Sequence, residues 1–355
     1  MENLATELLL EIFDLACADD VFAERSLSLV SRGVHEASRS FRFRAVSLYA
    51  TMTNLQALIH SIGDERKRSP DMLPKCRHLF LECPSPKAWE LGTTLTFKDA
   101  LTFTSLGERS SGVVSYSNSG QTENDWNQWA EHLSLLLCIV APDLETFTLI
   151  TCSDFDGPIV LPCPFSALRE LTVVACGFPL DFGPTIGHRK CFSSLRRFHL
   201  VSPGESEKTP GDLATLARHT PKLTHLRISH LPPQHNLTAL MRLYRKDRPH
   251  TAFPDLQRVL VQPIPLPERC GPAMMFCEFV TRLWCSAQRA RVPVYLIPGD
   301  VKLQGAGHNA FVQKAKEEWQ DRIEGGEGCW AVKEDWVNRS DVGHVVPWHL
   351  IIGQR

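Results

Sequence analysis

No Cys-x-x-Cys pair occurs in this chain, although it holds 12 cysteines. The nearest local spacings, Cys76 to Cys83, Cys152 to Cys163 and Cys270 to Cys277, match no zinc-ligand pattern, so no metal site is expected. The N-terminus has no basic segment leading into an apolar core, which argues against a secretory signal. Reduced thiols in a cytoplasmic and/or nuclear protein are therefore expected. No run reaches the ~18 apolar residues of a membrane span, so no membrane partner is expected. Charge of neither sign is in excess: 38 Lys and Arg stand against 40 Asp and Glu, for a net charge of -2. That balance predicts no nucleic-acid partner, and basic stretches interleaved with aromatics are missing too.

Catalytic signatures are also absent. There is no G-x-S-x-G elbow, no H-E-x-x-H pair and no P-loop. Gly305-Ala306-Gly307-His308-Asn309-Ala310 formally matches the dinucleotide fingerprint G-x-G-x-x-A. Only 45 residues follow it, too few for the rest of a dinucleotide-binding sheet. Asp154-Phe155-Asp156-Gly157 lacks the remaining ligands of a calcium loop and reads as a turn. The expectation is a non-enzyme with no catalytic residues and no cofactor.

What is present is an ordinary globular composition, 43% hydrophobic and 22% charged, carrying an internal periodicity. A Leu-x-x-Leu-x-Leu pattern recurs as Leu144-x-x-Phe147-x-Leu149, Leu168-x-x-Leu171-x-Val173 and Leu195-x-x-Phe198-x-Leu200. Leu223-x-x-Leu226-x-Ile228 and Leu256-x-x-Val259-x-Val261 continue it. An earlier copy is Cys76-x-x-Leu79-x-Leu81, and a looser late one is Val292-x-x-Tyr295-x-Ile297. From Leu144 to Leu256 the copies lie 24, 27, 28 and 33 residues apart, against ~20–29 for leucine-rich repeats. Pro142, Phe165, Phe192 and Phe253 lead into their copies. Helical spacing marks Asp125 to Val140, Asp212 to Arg218, Thr238 to Tyr244 and Ala273 to Arg289 as returns between strands. Strand–helix alternation is compatible with a doubly wound α/β sheet as well. The shared lead-in favours a solenoid, in which stacking neighbours bury a core that no single repeat can make. Gly92 to Glu123, rich in Ser, Gly and Asn, reads as a loop insertion, and Asp64 to Arg68 as a solvated charged loop. His308 to Ile323, with Phe311, Ala315, Trp319 and Ile323 on one side, reads as a C-terminal cap.

By strand alternation, the residues between the buried ones line a second face. They include Glu170 and Thr172, Arg197 and His199, His225 and Arg227, and Arg258 and Leu260. Between His188 and Arg258 the only acids are Glu205, Glu207, Asp212, Asp247 and Asp255. Arg197, His199, His225, Arg227 and Arg258 are thus candidate substrate contacts for an acidic or phosphorylated protein segment.

The first fifty residues have a different character. From Met1 to Glu24 there are acids and no Lys or Arg. Leu8, Leu9, Ile12, Phe13 and Ala16 recur at helical spacing, and Glu7 and Glu11 suit the positive end of the helix dipole. A second helix is expected from Phe22 to Ser31. A third would carry Val34, Ala37, Phe41 and Phe43, with Gly33 at the break. Helices this apolar in about forty residues need a neighbour, because units that small hold too little core.

The residue run Leu4-x-x-Glu7-Leu8-Leu9-Leu10-Glu11-Ile12-Phe13, followed by Leu27-x-Leu29-Val30-Ser31-Arg32, resembles an F-box, with Ala5 where that family usually has Pro. The chain as a whole is similar to fungal F-box proteins with degenerate leucine-rich repeats. The resemblance implies an α/β architecture: a three-helix F-box at 1–50, a linker and first repeat at 51–91, the insertion at 92–123, an irregular leucine-rich-repeat solenoid at 124–298 and a C-terminal helical cap at 299–355. It also implies a substrate-recognition adaptor of an SCF-type ubiquitin ligase. Leu4, Leu8, Leu9, Ile12, Phe13, Leu27 and Val30 would grip a Skp-type adaptor and, through it, a cullin scaffold, while the second strand face holds an unknown protein substrate. The other reading is a repeat-based interaction scaffold without a ubiquitin role, its N-terminal helices serving only as a cap.

Overall fold

Every copy of the Leu-x-x-Leu-x-Leu pattern is a strand in the computed structural model. The structure describes residues 6–19, 26–27, 29–68, 74–84, 122–151, 159–175, 180–181, 190–202, 213–231, 253–264, 277–285, 290, 292–300, 303, 307–331 and 337–338. The strands are β1 (Ala45–Tyr49), β2 (His78–Glu82), β3 (Thr146–Ile150), β4 (Ile159–Val160), β5 (Glu170–Val174) and β6 (Leu180–Asp181). They continue as β7 (Arg197–Val201), β8 (His225–Leu231), β9 (Arg258–Pro263), β10 (Val294–Leu296) and β11 (Val337–Asn338). The helices are α1 (Thr6–Asp19), α2 (Arg32–Ser38), α3 (Met52–Arg68), α4 (Thr122–Val140), α5 (Leu213–His219) and α6 (His308–Ile323), with a further helical stretch at 277–285.

One nine-stranded sheet runs β1-β2-β3-β5-β7-β8-β9-β10-β11. Its first eight members pair in parallel, and only β11 runs antiparallel, against β10. The order follows the chain without reversal, so among the described residues there is no topological switch point of the doubly wound kind. β4 and β6 form a separate two-stranded parallel pair.

The α/β class holds, but the expected architecture is corrected. Among the described residues there is neither a three-helix N-terminal F-box nor a leucine-rich-repeat solenoid; there is an eight-strand parallel sheet with helices on both faces. The reason lies in what the pattern records. Leu-x-x-Leu-x-Leu marks one buried face, here packed on α3, α4, α5 and residues 277–285 through Leu55, Trp129, Leu137, Leu216 and Trp284. It is silent on the other face, which is buried as well. Phe80, Ile150, Val174 and Val201 pack there against Phe311, Ala315, Trp319 and Ile323 of α6. All five residues of β5 are buried, as expected of a parallel strand covered on both sides. α6 therefore lies across β2, β3 and β5 and does not cap the sheet's end.

The N-terminal region also departs from expectation. Ser31 does not close a second helix; its hydroxyl accepts from the Val34 N–H at 3.2 Å and starts α2, with Gly33 inside it. The chain then passes through a 3-10 turn at Arg39–Phe41 and enters β1, which supplies the sheet's first strand. The stretch read as a linker holds α3, and Asp64 to Arg68 is that helix's last part. Arg66, Lys67 and Arg68 sit at its negative dipole end. Thr51 caps the start of α3, accepting from the Asn54 N–H at 3.2 Å. Leu4, the Thr238–Tyr244 helix, the Asp154–Gly157 turn and nearly all of the 92–123 insertion lie outside the described residues.

Candidate functional site

Two places carry functional potential, one on the surface and one beneath α6. The surface one is the N-terminal helix pair. Phe13 buries against Val34 and Ala37, with Leu9, Leu27 and Phe41 partly buried around them. The cluster is small because α1 turns only part of its apolar circumference inward. Leu8 and Ile12, one helical turn apart, stay 49% and 48% exposed, and Leu15 continues the same stripe. Leu29 and Val30, in the turn before α2, are exposed as well. Of the sequence-derived adaptor residues, Leu8, Ile12 and Val30 therefore face solvent. Leu9 and Leu27 are intermediate, and Phe13 holds the pair together. The pair is tied to the sheet body by Arg39, whose Nε lies 2.8 Å from Oε1 of the buried Glu65 of α3.

The second place is built by sheet register. Thr146, Glu170, Arg197, His225 and Arg258 stand side by side across β3, β5, β7, β8 and β9. Two residues further along, Thr148, Thr172, His199, Arg227 and Leu260 form the next row. Register does bring the candidate substrate residues into one band. The band is not an open surface, however. His199 and Arg227 are only 2% and 4% exposed, while Arg197, His225 and Arg258 are half-buried at the rim.

The C-terminal segment covers this band with polar partners. Glu170 accepts from Arg322 Nε at 2.9 Å and from Trp330 Nε1 at 2.8 Å, with Arg197 Nη1 3.6 Å away. Arg227 donates through Nε to Ser229 Oγ (3.0 Å), through Nη2 to Gln262 Oε1 (3.4 Å) and through Nη1 to the Cys329 carbonyl. Trp330 meets His199 and His225 edge-on, with ring centroids 6.2 Å and 6.0 Å apart, and Arg197 lies 6.0 Å from its ring centre. Gly328, at φ +55, makes the turn that delivers Cys329 and Trp330 to the sheet; a Cβ there would come 2.7 Å from the Glu318 carbonyl oxygen. Burial, then the Arg227 and Lys314 charges, hold the His199 imidazole well below its usual range. Burial pushes the Glu318 carboxyl up, although Arg227 and Lys314 draw it down. Burial likewise pushes the Cys329 thiol well up.

Sequence reading placed Glu170 on this face but missed Glu318, Cys329 and Trp330 as members of the layer. Their contacts span more than a hundred residues, and no local spacing reports such a pairing. Among the described residues, no helix is long and apolar enough to cross a membrane. No protein-family model matches the chain, and neither does any curated protein.

Proposed function

We propose that this protein is a substrate-recognition adaptor of an SCF-type ubiquitin ligase, in which the N-terminal helices dock a Skp-type subunit and the sheet body carries a substrate. The observation that supports this reading is the open apolar stripe Leu8, Ile12 and Leu15, together with the exposed Leu29 and Val30. A purely structural cap turns such residues against its own chain. Among the described residues, only Phe13 and its neighbours are so used, in a cluster separate from the main core. The F-box-like run falls on this same segment, and its apolar positions include the exposed Leu8, Ile12, Leu29 and Val30. The chemistry of ubiquitin transfer belongs in this reading to the partner enzymes. The adaptor contributes proximity, raising the effective concentration of substrate near the activated ubiquitin. The half-buried Arg197, His225 and Arg258 are the part of the basic band within reach of an acidic or phosphorylated substrate segment. His199 and Arg227 serve the interior.

The test is co-expression of the full chain with a Skp-type subunit, followed by co-purification. Ile12→Asp replaces a half-exposed side chain, so the fold should tolerate it with a melting temperature within about 2 °C of the parent. Adaptor capture should be lost. If the parent brings down no Skp-type subunit, or Ile12→Asp brings down as much as the parent, the adaptor reading fails.

A further inference from the structure

Three side chains with metal-ligand chemistry meet between β7, α6 and the turn at Gly328–Trp330. A ring nitrogen of His199, a carboxylate oxygen of Glu318 and the Sγ of Cys329 all lie within 4.8 Å of one another. They come from three separate elements, so their convergence is a product of the fold. We propose that His199, Glu318 and Cys329 form a binding site for a thiophilic divalent transition ion, with zinc the best match, that ties the C-terminal segment to the sheet.

The histidine is the second, independent pointer. Its Nε2 engages Ser229 Oγ at 2.9 Å. Its Nδ1 is buried and has no hydrogen-bond partner among the described residues. A buried polar atom left unmet costs about 1–3 kcal/mol. The neighbouring bond to Arg227 is compatible with the tautomer that a metal ligand needs. Arg227 Nε is only a donor, so Ser229 Oγ accepts from it at 3.0 Å. The second lone pair of that hydroxyl can accept Nε2–H, which leaves the Nδ1 lone pair free. A ligating histidine held by a hydrogen bond from its other ring nitrogen is the usual arrangement at metal centres.

Space and donor type agree. A cavity of about 20 Å³ is lined by His199, Ser229, Arg227 and Glu318, and a second of about 10 Å³ is lined by Glu318 and Cys329 among others. Each is of the order of a single water or ion. One nitrogen, one oxygen and one thiolate suit zinc and disfavour magnesium or calcium, which take oxygen ligands. The three donors need to close by about 1 Å to reach zinc distances, with water in the fourth position. On binding, the Cys329 S–H bond is replaced by an S–metal bond and the proton leaves to solvent; any proton on the Glu318 carboxyl leaves likewise. Arg227 and Lys314 oppose the incoming charge. Lys314 is held by Asp300 at 2.5 Å, and the two anionic ligands offset the ion itself. Soft thiolate coordination, more than bulk electrostatics, is thus what selects the ion.

The probe is Co2+ added to the full chain after chelation and under reducing conditions. The expected result is a near-ultraviolet thiolate-to-cobalt charge-transfer band, its displacement by equimolar Zn2+, and a rise in melting temperature with either ion. Cys329→Ser should abolish the band, whereas Cys285→Ser, at an exposed thiol, should leave it intact. Glu318→Gln and His199→Asn should keep a thiolate band but weaken Co2+ binding by about tenfold or more. No band with the parent chain, or a band that persists in Cys329→Ser, overturns the site. If Cys329→Ser does not fold, His199→Asn decides: unchanged affinity overturns the proposal, and weakened affinity supports it. None of these readouts depends on the adaptor reading.

Discussion

At the residue scale, the clearest consequence of burial is an acid-sensitive histidine. His78, at the start of β2, bonds through Nδ1 to Thr146 Oγ1 at 3.0 Å. Burial, then the charges of Arg44, Arg77 and Arg322, pushes its imidazole down to about 4. The unfolded chain takes up a proton near pH 6.5, while the folded one stays neutral at that site until about pH 4. Between those values the unfolded state binds more protons, so stability is complete above about pH 6.5 and falls as the pH drops through the window. The urea midpoint should decline from pH 7 to pH 4.5. In His78→Gln, which has nothing to titrate, that decline should be shallower. An identical slope in the two proteins would show that other groups govern the acid limb. This scale was also the least legible in the sequence. Alternation correctly sets His199 beside Arg227, but not the residues that close over them, because Glu318 and Cys329 lie 91 or more positions further along the chain.

Elements were legible in proportion to how much of their pattern is local. Strands β2, β3, β5, β7, β8, β9 and β10 each fall on a Leu-x-x-Leu-x-Leu copy, and α6 on its four-residue stripe. β1 was not expected: the third helix was carried through Phe43 on the spacing of Val34, Ala37 and Phe41, and Ala45–Tyr49 falls just beyond it, within the 1–50 segment expected to be a three-helix unit. α3 was hidden by its charged end. The decisive misreading was α6 itself, whose stripe says that it buries one side without saying against what. Its anchor is Trp319, 6% exposed, with its ring centroid 5.6 Å from that of Phe80 at 55°. Trp319→Ala removes the largest side chain between α6 and the sheet, which should cost about 3–5 kcal/mol in urea unfolding. The same change at the exposed Leu135 of α4 should cost less than about 1 kcal/mol. If Trp319→Ala costs no more than Leu135→Ala, α6 is a loosely laid strap and does not close the core.

For the whole molecule, the apolar clusters of the described residues are very unequal in size. One cluster runs without a break from Leu48 in β1 to Leu296 in β10, while the N-terminal helices share only Phe13, Val34, Ala37 and their partly buried neighbours. Regions with little buried apolar area open at lower free energy than the structures they border. Amides of α1 and α2 should therefore exchange with solvent well before those of β3, β5, β7 and β8, which parallel neighbours hold on both sides. Arg39 is the named restraint between the N-terminal helices and the sheet body. Arg39→Ala removes the guanidinium 2.8 Å from the buried Glu65 carboxylate, at a cost of about 3 kcal/mol. Exchange by mass spectrometry should then rise in α1, α2 and the end of α3, and stay unchanged in β5 and β7. A Skp-type subunit bound to the exposed stripe should reverse this order locally, slowing exchange in α1 while leaving α6 untouched. Protection of α1 equal to that of β5 in the free chain would mean that the N-terminal helices unfold with the sheet as one unit. The small cluster would then be no guide to where this molecule opens.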